Sequence, residues 1–161
     1  FGMVGAAHTL DMEKEEQMLQ LLVVTPTQLC KCCLRDMYKR GSGKILNVAS
    51  VGAFQPGPYT ASYYASKSYL YQYSQAIRLE AKKQGVQVCT LCPGSTRTHF
   101  FEKTGAKTPI WAMSPERVAK EAWEGLNADK AVVVPGMINR LLRLVPAQIK
   151  AYGVALLKKH T

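Results

Sequence analysis

A phenol and an ammonium four residues apart stand in the run Tyr63-Tyr64-Ala65-Ser66-Lys67. On a helix that spacing brings Tyr63 and Lys67 to one face, the geometry needed for an ammonium to stabilise a phenolate. Acid–base work is the chemistry such a pair could do, because a phenol with an ordinary pKa near 10 is a poor base at neutral pH until a cation favours its anion. With 8 tyrosines and 14 lysines in 161 residues, Tyr-x-x-x-Lys arises by chance about 0.7 times, so its surroundings must supply the specificity. Those surroundings are Ser50, thirteen residues before Tyr63 and just past a short apolar segment, and Pro93-Gly94 directly after another.

The elements that must position these groups can be read from the pattern. Asp11 suits the cap of a helix over 12–39, which is acidic at its start (Glu13, Glu15, Glu16) and basic at its end (Lys39, Arg40), as the helix dipole favours. Gly41-Ser42-Gly43 breaks the chain before a buried strand at 44–49, and Gln55-Pro56-Gly57-Pro58 marks a loop. Helical spacing returns over 61–83 through Tyr69, Leu70, Tyr73, Ile77 and Leu79, and Gly85 ends it. Residues 86–92 alternate as a strand, 94–108 read as loop, and Ser114-Pro115 opens a helix lined by Val118, Ala119, Ala122, Trp123 and Leu126. A third strand is expected at 131–134, and Pro146 should divide or kink the last segment.

This alternation predicts an α/β fold, a three-layer arrangement with a parallel sheet and helices on both faces. Three strands make a thin sheet, so an edge beside residues 45–49 asks for further strands upstream.

Asn47-Val48-Ala49-Ser50, Tyr63-Tyr64-Ala65-Ser66-Lys67 and Pro93-Gly94-Ser95-Thr96-Arg97-Thr98 stand in the order and spacing of the short-chain dehydrogenase/reductase family, which the chain resembles over almost its whole length. The resemblance implies a Rossmann-like domain of which residues 1–161 are the later portion, with 137–161 a basic amphipathic extension. It implies an NAD(P)-dependent oxidoreductase interconverting an alcohol and a carbonyl. Tyr63 would be the acid/base at the substrate oxygen and Ser50 would polarise the carbonyl. Lys67 would lower the Tyr63 pKa and, with Tyr63, hold the nicotinamide ribose. Pro93, Gly94, Thr96 and Thr98 would carry the loop toward the nicotinamide, and Phe100, Phe101, Ile110 and Trp111 fall where the family keeps a substrate lid. That lining suits a small hydrophobic alcohol or carbonyl.

Two departures follow from the same resemblance. Leu22 stands where the family places an asparagine that completes a proton relay to the lysine; Pro26 has no amide hydrogen and leaves the Leu22 carbonyl free to hold a relay water instead. The glycine-rich dinucleotide loop would precede Phe1, so residues 1–161 alone are expected to lack tight coenzyme binding and activity. The choice between NADH and NADPH would rest on side chains in that same upstream portion.

Composition narrows the alternatives. A 47% hydrophobic, 20% charged chain is ordinary globular material, and its net charge of +10 is scattered without a zinc-finger, basic-zipper or RNA-binding signature, which argues against nucleic acid. Five cysteines, an odd count, argue against a disulfide framework and for a reducing, cytosolic setting. Cys30, Cys32 and Cys33 have no C-x-x-C pair, and His8, His99 and His160 have no ligand-like spacing with them, so helix-packing thiols are expected and no metal. No apolar run is long enough to span a membrane. The competing reading is a non-catalytic interaction remnant, since helices 12–39 and 61–83 resemble those that form the family's homo-oligomer interface. The segment 137–161, in which Leu141, Leu144, Ile149 and Leu156 interleave with basic residues, would either lie on an anionic membrane surface or pack on the body.

Overall fold

The computed structural model of the chain describes residues 2–99 and 108–158. Phe100, Phe101 and His160, named above, lie outside the described residues. After a short 3-10 turn at Ala7–Thr9, helix α1 runs Met12–Leu19, opened by the Asp11 carboxylate, which accepts the Lys14 N–H at 2.9 Å. It passes through a wider π turn, Gln20–Val24, into α2, Thr25–Arg40. Ahead of the proline the regular ladder widens: the Thr25 amide and hydroxyl both donate to the Gln20 carbonyl, five residues back, and the Thr27 hydroxyl donates to Val23 O at 2.7 Å. Gly41, at φ 65°, closes α2 with its N–H on the Met37 and Tyr38 carbonyls, a left-handed cap that only a residue without Cβ adopts freely.

Strands β1 (Gly43–Val48), β2 (Val86–Leu91) and β3 (Val132–Val133) form a parallel sheet in that order. Helix α3, Ala61–Lys82, connects the first pair and α4, Pro115–Asn127, the second. Among the described residues, β1 pairs with β2 alone. The two-residue period of β2 assigns the layers. Val86 and Val88 pack with Cys30, Leu34, Ile77 and Ala81 of α2 and α3, whereas Cys89 and Leu91 pack with Val118, Ala122 and Leu126 of α4. A central strand buried on both faces between helices is the sandwich the alternating pattern predicts.

One polar knot ties the first layer together. Buried Asn47 on β1 donates from its amide to the Ser74 hydroxyl of α3 at 2.8 Å and contacts the Cys30 thiol of α2. Cys30 is thus a packing thiol, but Cys32 and Cys33 are exposed, a correction to the expectation for all three that follows from neighbouring helix residues pointing in different directions. All five cysteines are free, and no cluster of metal-ligating side chains occurs among the described residues.

The last segment divides around Pro146, into α5 (Met137–Leu142) and α6 (Ala147–Lys158), neither of which has a buried residue.

Two expected outcomes test this packing. A Cβ on Gly125 would lie 2.1 Å from Val133 Cγ2, and a β-branched valine on a short strand has little room to turn away. Gly125→Ala should therefore lower stability in urea by about 1–3 kcal/mol, despite alanine's better helix propensity, and Val133→Ala should restore part of it. Cys92, fully buried between Ala49 and Val134, has its thiol pushed from 9.0 up to about 12, mainly by burial, against the Arg143 charge and a backbone hydrogen bond at Ser50. The unfolded thiol ionises near 9.0 while the folded one keeps its proton, so this contribution is whole below pH 9.0 and is lost as pH rises toward 12. Unfolding free energies from urea titrations above pH 9.0 should fall with a slope of up to about 1.4 kcal/mol per pH unit from this group; Cys92→Ala should flatten it.

Candidate active site

The parallel ladder of β1 and β2 continues past both strand ends. Ala49 N–H donates to Leu91 O at 2.8 Å and Val51 N–H to Pro93 O at 3.0 Å, which sets Ser50 beside Pro93-Gly94 at the C-terminal edge of the sheet. Ser50 is in extended conformation and caps the 3-10 turn Val51–Phe54, its Oγ accepting the Gly52 N–H at 3.0 Å. That bond holds the hydroxyl in place without using its proton.

Tyr63 enters from the first turn of α3. Which of the two adjacent tyrosines meets Ser50 is settled by packing. The Tyr64 ring lies against Gly57, where a Cβ would come within 2.2 Å of Tyr64 Cγ, while Tyr63 is the tyrosine whose phenol feels the Ser50 side chain. Their rings meet edge-on at 6.0 Å. One helical turn later, Lys67 Nζ donates to the Val48 carbonyl at 2.9 Å and stands 5.9 Å from the Tyr63 ring centroid.

The electrostatics differ from the expectation that Lys67 lowers the Tyr63 pKa. Burial pushes the Tyr63 phenol above its ordinary 10.0, with the Ser50 hydrogen bond opposing and neighbouring Tyr64 adding. Burial likewise pulls Lys67 below 10.5, opposed by Cys92. Burial is the first cause of both shifts, and the ammonium donates to the Val48 carbonyl.

The segment after Pro93 is pinned at both ends of its excursion. Ser95 O accepts from Met113 N–H and Arg97 N–H donates to Met113 O, each at 2.9 Å, forming an isolated bridge at Thr96 and Met113. Thr96 bends its hydroxyl to Gly94 O at 3.0 Å. A Cβ on Gly94 would strike the Asn139 amide at 2.6 Å, so the glycine gives α5 close access to the loop.

Ser50, Tyr63, Lys67, Pro93, Gly94, Thr96 and Thr98 all line one cavity of about 1380 Å³, open to solvent and mostly apolar. Ile110 and Trp111 join it from the far end of the loop, and Leu157 and Lys158 from the end of α6. Leu22 is half-buried on the π turn and is not among the lining residues. Cys92, close enough to feel the Lys67 charge and the Ser50 backbone, escaped the sequence reading; its place directly before Pro93 was the available signal.

For a nicotinamide dinucleotide, the donor set fits one end. The Lys67 ammonium has three donors, one of them on Val48 O, and it shares the cavity wall with the hydroxyls of Tyr63, Thr96 and Thr98. A glycine-rich turn leading into a helix N-terminus, which would cradle the pyrophosphate, is not encoded in these 161 residues.

Comparison with known proteins agrees with this arrangement. The family model for short chain dehydrogenases matches residues 2–109. The 7beta-hydroxysteroid dehydrogenase of Clostridium sardiniense is 28% identical over 140 residues, 85% of this chain and 53% of that protein. The 3-ketodihydrosphingosine reductase of Bacteroides thetaiotaomicron is 35% identical over 100 residues, 62% of this chain and 37% of that one. A short-chain dehydrogenase from Sphingobium yanoikuyae, solved in complex with NADPH, superposes with a TM-score of 0.81 at 24% identity, covering 98% of this chain and 60% of that structure. The chain thus spans about half the length, or less, of these two curated relatives. With its family model matched over more than half its residues and its fold shared, the chain belongs to the short-chain dehydrogenase family.

Proposed function

We propose that the cavity is the site of an NAD(P)-dependent interconversion of an alcohol and a carbonyl, with Tyr63 as acid/base, Ser50 as carbonyl-polarising donor and Lys67 as ribose ligand. The observation that carries this reading is the meeting of Ser50, from the end of β1, with Tyr63 and Lys67 of α3 on the wall of one apolar cavity, where the Ser50 side chain works to lower the Tyr63 pKa. When bound, the coenzyme supplies or accepts the hydride. Solved relatives include complexes with NADPH, with NADP and with NADH, which supports a nicotinamide coenzyme of either kind.

The chain's own part is to hold the oxygen and move its proton. A carbonyl oxygen seated between Ser50 and Tyr63 would take a hydrogen bond from each hydroxyl. As negative charge grows on it, the Tyr63 proton transfers, and burial strengthens both bonds by excluding competing water. Because burial keeps the Tyr63 phenol protonated beyond 10.0, the residue is set as an acid at neutral pH, the form that reduction needs. Lys67, anchored on Val48 O, would direct its remaining donors to ribose hydroxyls. Thr96 and Thr98 would approach the carboxamide from the loop, with Pro93 and Gly94 bringing the backbone close.

An apolar cavity of this size suits a bulky hydrophobic alcohol or ketone. The names of the two curated relatives point to a steroid and to a sphingoid ketone, both of that character.

The test is NAD(P)H oxidation with a hydrophobic ketone by the protein made from its complete coding sequence. Tyr63→Phe should lower kcat by about 10²–10⁴-fold with KM little changed; undiminished turnover in that variant refutes the assignment. The rate of reduction should stay level through neutral pH and fall only above 10.0, as the phenol loses its proton. Leu22→Asn should raise turnover by less than about ten-fold, under ~1.4 kcal/mol, if backbone groups of the π turn serve the relay. Residues 1–161 alone, lacking a phosphate cradle, should show no turnover in the same assay.

A further inference from the structure

Among the described residues, two cations line the cavity and no acid does. Lys67 is committed to the Val48 carbonyl and, under the oxidoreductase reading, to the coenzyme ribose. The second cation, Lys158 at the end of α6, has no part in the reaction as proposed.

The helix that carries Lys158 builds its place. Upstream, the Arg143 guanidinium stands 4.6 Å from the centre of the Phe54 ring, and Lys150 Nζ donates to Phe54 O at 3.4 Å. Both contacts seat the closing segment on the 3-10 turn that follows Ser50, and the end of α6 arrives at the cavity wall. There Lys158 Nζ lies 6.0 Å from the Tyr64 ring centroid, and that ring lies 6.0 Å from the Tyr63 ring. The ammonium is thus within two ring spacings of the candidate acid. It meets α3 at the first turn, whereas Lys67 stands one turn further along.

A half-buried lysine recovers the cost of leaving water when a carboxylate pairs with it. Lys158 is half-buried, and no carboxylate among the described residues does so; the ion pairs there join Arg78 to Asp129, Lys120 to Glu124, and both Arg117 and Arg140 to Glu121. The Tyr64 ring attracts the cation but leaves its N–H donors to a ligand. Burial pulls the ammonium below its ordinary 10.5, with no neighbouring charge among the described groups to oppose it.

A cleft with apolar walls and charge of one sign concentrates its field on a ligand of the other sign. A single ammonium balances one carboxylate. A phosphate monoester carries more than one negative charge and would stay partly unpaired against apolar side chains.

We propose that Lys158 anchors a carboxylate on the substrate, so that the cavity takes an amphiphilic keto or hydroxy acid, its reacting oxygen at Ser50 and Tyr63 and its apolar body between them and the lysine. That the reacting end is an alcohol or ketone rests on the oxidoreductase reading; the seat of the carboxylate rests on Lys158.

Two measurements on the protein made from its complete coding sequence test it. The probes are oxo-octadecanoic acids with the ketone at successive positions, each beside its methyl ester. For at least one pair, kcat/KM for the acid should exceed that for the ester by about ten-fold or more, the strength of a hydrogen bond to a charged group. Lys158→Gln, folded by circular dichroism, should erase that preference and Lys158→Arg should restore most of it. Lys150→Gln, which removes a cation of the same helix outside the cavity lining, should keep it. Calorimetric titration of the same pairs with oxidised coenzyme present, where no hydride is available, should give the same pattern in affinity. Turnover of acids and esters alike, or a preference that survives Lys158→Gln, would overturn this proposal and leave the oxidoreductase reading intact. Acid binding that depends on Lys158, with no turnover of any ketone, would do the reverse. A rise in coenzyme KM in Lys158→Gln without loss of the preference would assign the lysine to the coenzyme and also overturn the proposal.

Discussion

Everything at the site hangs on a line of parallel backbone hydrogen bonds that outlasts its strands. From Gly43 opposite Val86 to Val48 opposite Leu91, β1 and β2 hold one register, and the bonds Ala49 to Leu91 and Val51 to Pro93 carry it into the loops. A slip of one residue would turn Val86 and Val88 toward α4 and Cys89 and Leu91 toward α2 and α3, so the two apolar layers fix the register. Once fixed, it leaves Ser50 and Pro93-Gly94 adjacent at the same sheet edge. Lys67 then spans from α3 to the last carbonyl of β1, tying the helix that carries Tyr63 to the strand that delivers Ser50.

Helix α3 is held at its other end by polar contacts. Asn47 and Ser74 bond inside the core, and Arg78 reaches Val88 O and the Asp129 carboxylate, each at 2.8 Å. An amide and a guanidinium buried this way cost desolvation and return it only when their partners are in place, so these contacts penalise any other seating of the helix. The Tyr64 ring packs over Gly57 and Gly52, and Tyr63 beside it shares the cavity wall with Ser50.

The same burial that locates the groups also sets their protonation. Tyr63 is raised, Lys67 lowered and Cys92 raised, in each case first by removal from water. A wall that favours neutral forms is suited to a step in which a proton moves between a phenol and an oxygen, because charge appears there only as the reaction proceeds. It also keeps the Cys92 thiol protonated and unreactive beside the lysine.

What the sequence determined by itself was order and type. Alternating strands and helices, the Asp11 and Ser114 caps, the Gly41 stop and the division at Pro146 are local, each decided by one residue's backbone chemistry, and spacing alone put Tyr63 and Lys67 on one face. Three matching motifs gave the family. Only tertiary structure decided the rest, because it depends on atoms distant in the chain. The fate of the three clustered cysteines comes from which of them faces Asn47, seventeen residues from Cys30. The Tyr63 pKa moved opposite to the expectation because a pair's spacing says which groups are near, while the water they lose is set by the whole cavity wall. The outward face of α6 is likewise beyond periodicity, which shows that a helix has two sides and leaves open which one the body takes; here Phe54 and Tyr64 claim the cations.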